Sequence, residues 1–168
     1  MAEMSENSNP IKKGTAKSTS LDRIDRKLLG YLAVDATSSY AVLGELVHLS
    51  GPAVHERVKR LRQLGVIKAT VASLDGAKLG RPLLAFINVD TKSWAKTRQL
   101  IQLVDLPDIE EIHTVTGESA VLLKVRTRDT QTLEALLGMI HGIEGIEATR
   151  SSIALSTYLE RGPSPTAE

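Results

Sequence analysis

Cysteine is absent from the chain. Its absence excludes a disulfide framework, a thiol nucleophile and a zinc finger built on thiolates. Aromatic residues are scarce, at 3% of the whole, which argues against holding a nucleic acid by base stacking on an aromatic platform. No stretch approaches the roughly 18 consecutive apolar residues that cross a bilayer. The run Met1-Ala2-Glu3-Met4-Ser5-Glu6 lacks the apolar core of a secretory signal, so a soluble, intracellular protein is expected. Catalytic groups are also missing from the pattern. There is no G-x-S-x-G elbow, P-loop or dinucleotide-binding glycine pattern. The four histidines, His48, His55, His113 and His141, fall at no metal-ligand spacing. Glu110 and Glu111 alternate faces on a strand and do not converge. Neither a metal nor a cofactor is expected, nor an enzyme.

Net charge is nearly absent as well, +1 over 168 residues. The average conceals an asymmetry. Residues 1–80 carry 12 Lys and Arg against 8 Asp and Glu, a balance of +4. Residues 81–168 carry 9 against 12, a balance of −3. A basic half joined to an acidic half points to separate tasks.

What is present is a 42% hydrophobic content, enough for a core. Residues 1–20 are rich in Ser, Thr, Asn and Lys and are expected to be a disordered tail, with Lys12, Lys13 and Lys17 available to a phosphate backbone. From Leu21 the pattern becomes helical. Asp22 caps a first helix, with Asp25 in its first turn and Ile24, Leu28, Leu29, Leu32 and Ala33 at helical spacing. Ser38 or Ser39 caps a second, carrying Val42, Leu43, Leu46 and Val47. Ser50 caps a third, with Pro52 in its first turn and Val54, Val58, Leu61 and Leu64 on the buried face up to Gly65. A tight turn through His48-Leu49 joins the second and third, which is helix-turn-helix geometry. His48 stands where such a turn needs positive φ, a structural role.

The third helix is the most informative segment. From Ser50 to Lys68 it carries Arg57, Lys59, Arg60, Arg62 and Lys68 against the single acid Glu56. A helix that buries one side and presents cations on the other suits the major groove of double-stranded DNA. Its N-terminal residues Gly51, Pro52, Ala53, His55 and Glu56 would meet base edges or methyl groups, and Lys59 and Arg60 would take phosphates or purine edges. Ser39 and Ser50, which start the second and third helices, complete the expected DNA-facing set.

The linker, residues 69–81, should be a strand or hinge. Val66-Ile67 and Ala69 to Ala72 look extended, and Asp75-Gly76 and Leu79-Gly80 punctuate the stretch. Residues 82–160 then follow the order βαββαβ, the ferredoxin-like arrangement. Its strands are Leu83 to Val89, Ile109 to Val115, Ala120 to Val125, and a last one within Ile146 to Leu159, strongest at Ser152 to Thr157. The first of its helices is capped by Ser93 and runs through Trp94, Thr97, Leu100, Ile101 and Val104. The second is capped by Asp129 or Thr130 and carries Leu133, Leu136, Leu137 and Ile140. Residues 161–168 are expected to be a short polar tail, and the helix-turn-helix domain spans 21–68.

The order of short motifs resembles the Lrp/AsnC family, the feast/famine transcription regulators. The residues that carry the resemblance are Leu21-Asp22-x-x-Asp25-x-x-Leu28-Leu29, the core Leu43 to Val47 with Leu49-Ser50, and Val54-x-x-Arg57-Val58-x-Arg60-Leu61-x-x-Leu64-Gly65-Val66-Ile67. Leu79-Gly80 and Thr114-Val115-Thr116-Gly117 follow in order. The resemblance covers about residues 21–160. It implies an α+β chain with an N-terminal winged-type helix-turn-helix and a C-terminal ferredoxin-like βαββαβ domain. It further implies homodimers that assemble into tetramers or octamers, a cytoplasmic and nucleoid-associated place, and an amino acid as small-molecule effector. The effector loop would be Thr116-Gly117-Glu118-Ser119-Ala120. Many members carry an aromatic-Asp pair where Ser119-Ala120 stand. The replacement leaves three alternatives: Glu118 takes over the role, another class of small molecule binds, or no effector binds. Asp35-Ala36-Thr37 replaces the usual Asp-Gly-Arg, His48-Leu49-Ser50 the usual Gly-Leu-Ser, and Ala69-Thr70 the usual Gly-Tyr. The expected function is a sequence-specific DNA-binding transcription regulator that responds to a small molecule. The alternative is a nucleoid-structuring DNA-binding protein of the same fold, with weak sequence preference and no effector.

Overall fold

The computed structural model describes residues 20–165. The expected N-terminal tail therefore lies outside the described residues, apart from Ser20, as does the end of the C-terminal one. The described residues divide into two compact units, 20–71 with 161–165, and 72–160.

The first unit holds three helices, α1 (Arg23–Val34), α2 (Tyr40–Val47) and α3 (Gly51–Gln63). Each starts at a side chain that accepts a backbone N–H left unpaired by the helix end: Asp22, Ser39 and Ser50. At α1 the cap is reciprocal, because Asp25 accepts in return from the Asp22 N–H. Leu28, Leu43, Val47, Val54 and Val58 form the core, with Ile24, Leu32, Tyr40, Leu49 and Ile67 packed around it. The expected buried face was too broad. Val42 and Leu46 on α2, and Leu64 after α3, are each nearly half exposed. An eight-residue helix that packs along a single seam buries only Leu43, Gly44 and Val47. Residues 161–165 belong to this unit, where Arg26 Nη1 donates to the Pro165 carbonyl at 3.1 Å.

The second unit is an antiparallel four-stranded sheet in the order β2-β3-β1-β4, with β1 Leu83–Thr91, β2 Ile109–Thr114, β3 Val121–Thr127 and β4 Ile146–Ile153. Alternate residues Ala85, Ile87 and Val89 of β1 and Val121, Leu123 and Val125 of β3 face the helices. Leu133, Leu136 and Ile140 of α5 (Thr130–His141) complete that core.

Three expectations for these elements are corrected. The helix expected from Trp94 is α-helical only over α4 (Trp94–Thr97) and continues as a 3₁₀ helix over Arg98–Asp105. Thr97, Leu100 and Leu103 are buried at a spacing of three, the period of a 3₁₀ helix, whereas Trp94 and Val104 are exposed. The last strand lies within the expected Ile146 to Leu159, but it runs Ile146–Ile153 and is not centred on Ser152 to Thr157. The register sets Ile153 opposite Ala85, and the Ala154 N–H bond to the Leu84 carbonyl brings the pairing to within one residue of the start of β1 at Leu83. Val66-Ile67 and Ala69 to Ala72, which looked extended, form no strand pairing, so the linker holds no strand, and Val71, Leu74 and Leu79 are exposed. Among the described residues no helix is long and apolar enough to cross a membrane.

Candidate nucleic-acid interface and effector loop

The turn between α2 and α3 is built from a close approach. Gly44 faces the chain where it reverses: a Cβ there would sit 2.4 Å from the Leu49 carbonyl oxygen. The Leu49 N–H bonds back to the Gly44 carbonyl at 2.9 Å. His48 takes φ 57° and ψ 45°, the positive-φ conformation expected of it. Ser50 then accepts from Ala53 N–H at 3.4 Å and α3 begins.

Val54, Val58 and Leu61 are fully buried, which fixes the outer face of α3. Pro52, His55, Glu56, Lys59 and Arg60 are exposed, and Gly51 and Ala53 are half-buried. Ser39 and Ser50 are exposed at the starts of their helices. The His55 ring lies 5.3 Å from that of Tyr40, and its Nδ1 is 3.5 Å from Glu56 Oε1. All the expected DNA-facing residues thus lie on α3 or at the helix starts beside it. Ahead of α2, Asp35 accepts from the Thr37 N–H and hydroxyl and from Ser38, and these bonds lower its pKa.

Arg60 has a partner that sequence reasoning missed. Its Nη2 donates to Asp25 Oδ2. Arg57 Nη1 donates to Asp25 Oδ1 at 2.9 Å and to Asp22 Oδ2 at 2.6 Å. The Asp25 side chain is fully buried. Asp22 is held below the ordinary carboxylate range, first by the Asp25 N–H and then by Arg57, and the same pairing raises Arg57. The available signal was a pair of acids three apart at the start of α1, matching two arginines three apart on α3. Glu56, Lys59, Gln63 and the Asp22–Arg57–Arg60 group border an open concavity of about 540 Å³.

In the second unit, Thr116, Gly117, Glu118, Ser119 and Ala120 lie in the loop between β2 and β3. Gly117 has φ 114°, so a side chain there would be strained. The loop closes through Val115 N–H to the Ala120 carbonyl, and Ala120 N–H bonds to the Val89 carbonyl, both at 3.1 Å. Thr116, Gly117 and Glu118 are exposed, but Ser119 is buried. Arg150 Nη2 donates to Ser119 Oγ at 2.9 Å, and the same guanidinium forks onto Asp90 at 3.0 and 3.2 Å. Asp90 and Arg150 were not among the expected loop residues. They lie far from the loop in sequence and meet it only because β4 pairs with β1.

Residues 21–62 match the AsnC-type helix-turn-helix domain, and residues 84–164 match the Lrp/AsnC ligand binding domain. The chain belongs to the Lrp/AsnC family of transcriptional regulators. Relatives of this family include the HTH-type transcriptional regulator FL11 of Pyrococcus furiosus, 34% identical over 140 residues, 83% of this chain and 93% of that one. Among solved structures, E. coli AsnC superposes with a TM-score of 0.80 at 28% identity, covering 87% of this chain and 99% of that one. The fold is also that of the regulator NMB0573 of Neisseria meningitidis, solved as a complex with L-Met, at TM-score 0.78, 24% identity and coverage of 84% and 94%. As a member of the Lrp/AsnC family, the chain is a DNA-binding transcription regulator with α3 as the second helix of its helix-turn-helix.

Proposed function

We propose that this regulator works as a homo-oligomer in which α3 of each copy enters the major groove and the βαββαβ domain binds an amino acid. The observation that carries the reading is the N-terminus of α3. Buried Val54 and Val58 anchor it, while Gly51, Pro52, Ala53, His55 and Glu56 lie at or near the surface of its first turns. That end of such a helix meets base edges, and two copies read the halves of an imperfect palindrome. Lys59 is an exposed cation on the same helix, suited to a phosphate. The action is binding, with no catalytic step.

Assembly is supported by apolar side chains left uncovered in one copy. Val71, Leu74 and Leu79 before the sheet, and Leu155 and Leu159 after it, are each at least 60% exposed. Large apolar side chains left open to water are what a second copy would cover. An amino-acid effector is supported by the ligand-binding domain match and by the L-Met bound to the Neisseria relative.

One observation favours a second reading. Ser119 is already tied to Arg150, and Asp90 is paired with the same guanidinium, so neither is left waiting for a ligand. An effector-independent, nucleoid-structuring protein of weak sequence preference would have such a loop. A thermal-shift screen against the twenty amino acids, with native mass measured in parallel, separates the two. A rise in melting temperature or a change of assembly with one class of amino acid supports the first. No response at millimolar concentrations, with equal binding to random and genomic fragments, supports the second.

A further inference from the structure

Asp25 is the only charged residue fully buried among the described residues, and it belongs to a three-way contact between α1 and α3. Its Oδ1 accepts from Arg57, and its Oδ2 accepts from Arg60 and from the Asp22 N–H. Arg57 Nη1 also bridges to Asp22. A buried carboxylate needs its partners, because removing one leaves a charge without compensation. The planar guanidinium fixes direction as well as distance. The apolar seam of Leu28, Val54 and Val58 is non-directional and tolerates small rotations of α3. The two arginines, one turn apart, do not. Lys59 lies between them in sequence, is exposed, and has no ion-pair partner among the described residues.

We propose that Arg60, together with Arg57, is a positioning residue for DNA reading: it sets the angle of α3 through the buried carboxylate of Asp25, and Lys59 supplies the phosphate contact. The proposal rests on α3 being the reading helix. It changes the role expected of Arg60 from its charge alone. A guanidinium held on Asp25 is not released to a phosphate without leaving that carboxylate buried with one partner fewer. Misplacing α3 by a small angle moves Ala53, His55 and Glu56 off their base edges while leaving non-specific attraction intact.

The test uses the full chain and two duplexes, one selected by the wild type from a random pool and one of arbitrary sequence. Affinity for each is measured across a salt series. Lys59→Ala is expected to flatten the slope of log affinity against log salt by about 0.9 per head on both duplexes, the signature of one lost phosphate contact. Arg60→Ala is expected to keep the wild-type slope and lower the ratio of selected to arbitrary affinity about tenfold, a coupling typical of residues in one network. Arg60→Lys, which keeps a donor for Asp25, should restore part of that ratio. Asp25→Asn, with Arg60 intact, should reproduce the loss of ratio. Loss of stability alone moves none of these ratios, and circular dichroism verifies the fold at the assay temperature. A slope loss in Arg60→Ala equal to that of Lys59→Ala overturns the proposal. So does a wild-type ratio in either folded variant, Arg60→Ala or Asp25→Asn. If neither Lys59→Ala nor Arg60→Ala changes slope or ratio, the assignment of α3 as the reading helix is what fails.

Discussion

Gly44 and Leu49 are in contact through the place where a side chain would be: a Cβ on Gly44 would stand 2.4 Å from the Leu49 carbonyl oxygen. Backbone cannot yield as the tip of a flexible side chain can. Gly44→Ala is therefore expected to destabilise the first unit by about 1–3 kcal/mol, the range for an overpacked site. The midpoint of urea unfolding, followed by helical circular dichroism, measures it. A midpoint equal to that of the wild type would mean the turn has room that the geometry denies.

His48 adopts φ 57° two residues before α3 starts its cap. A β-branched residue suffers in that conformation by about 1–2 kcal/mol, and glycine does not. His48→Val should lower the unfolding midpoint. His48→Gly should match the wild type within about 1 kcal/mol, since relief of strain offsets the freer unfolded chain. If both variants behaved alike, the positive φ would not be a determinant of the turn.

Acid sensitivity follows from the helix caps. Asp129 starts α5, where the Thr132 hydroxyl and N–H and then Arg128 hold its pKa down to about 2 from 3.8. A depressed folded-state pKa stabilises the fold above the unfolded value, and that contribution is lost as pH falls. Its share disappears between about 3.8 and about 2. Asp22 and Asp35 are shifted in the same direction and act with the same sign. Asp129→Asn should therefore show a flatter fall of melting temperature over that pH window than the wild type. An unchanged pH profile would show that the cap is not formed in solution.

Arg150 ties β4 to the loop between β2 and β3 through Ser119 and to β1 through Asp90. Arg150→Ala should raise amide hydrogen exchange across residues 115–119 while leaving Ile87 and Leu123, in the middle of the sheet, protected. Equal protection of the loop in both chains would assign its order to the Val115–Ala120 and Ala120–Val89 backbone bonds.

Much of this was legible in the residues themselves. Caps at Asp22, Ser50 and Ser93, the positive φ of His48 and the βαββαβ order all follow from local chemistry and period, whereas the choice of Ser39 over Ser38 needed the structure. What was not legible depends on distant partners. The end of β4 is set by where β1 begins, a fact carried by pairing and not by the sequence of residues 146–157. The 3₁₀ helix after Thr97 hides in a pattern in which spacings of three and four both occur. Asp25 looks like an ordinary first-turn acid until α3 brings Arg57 and Arg60 to it. Arg150 and Asp90 reach the loop only through the sheet register.

If the first turns of α3 read base pairs, a change there must alter which sequence is preferred. The direct measurement is selection from a random duplex pool by the wild-type chain and by Glu56→Ala, an exposed residue with no role in the core. The variant should lose base preference at one position, repeated in both halves of the site, and keep it elsewhere. An unchanged preference at every position would contradict base reading by these turns.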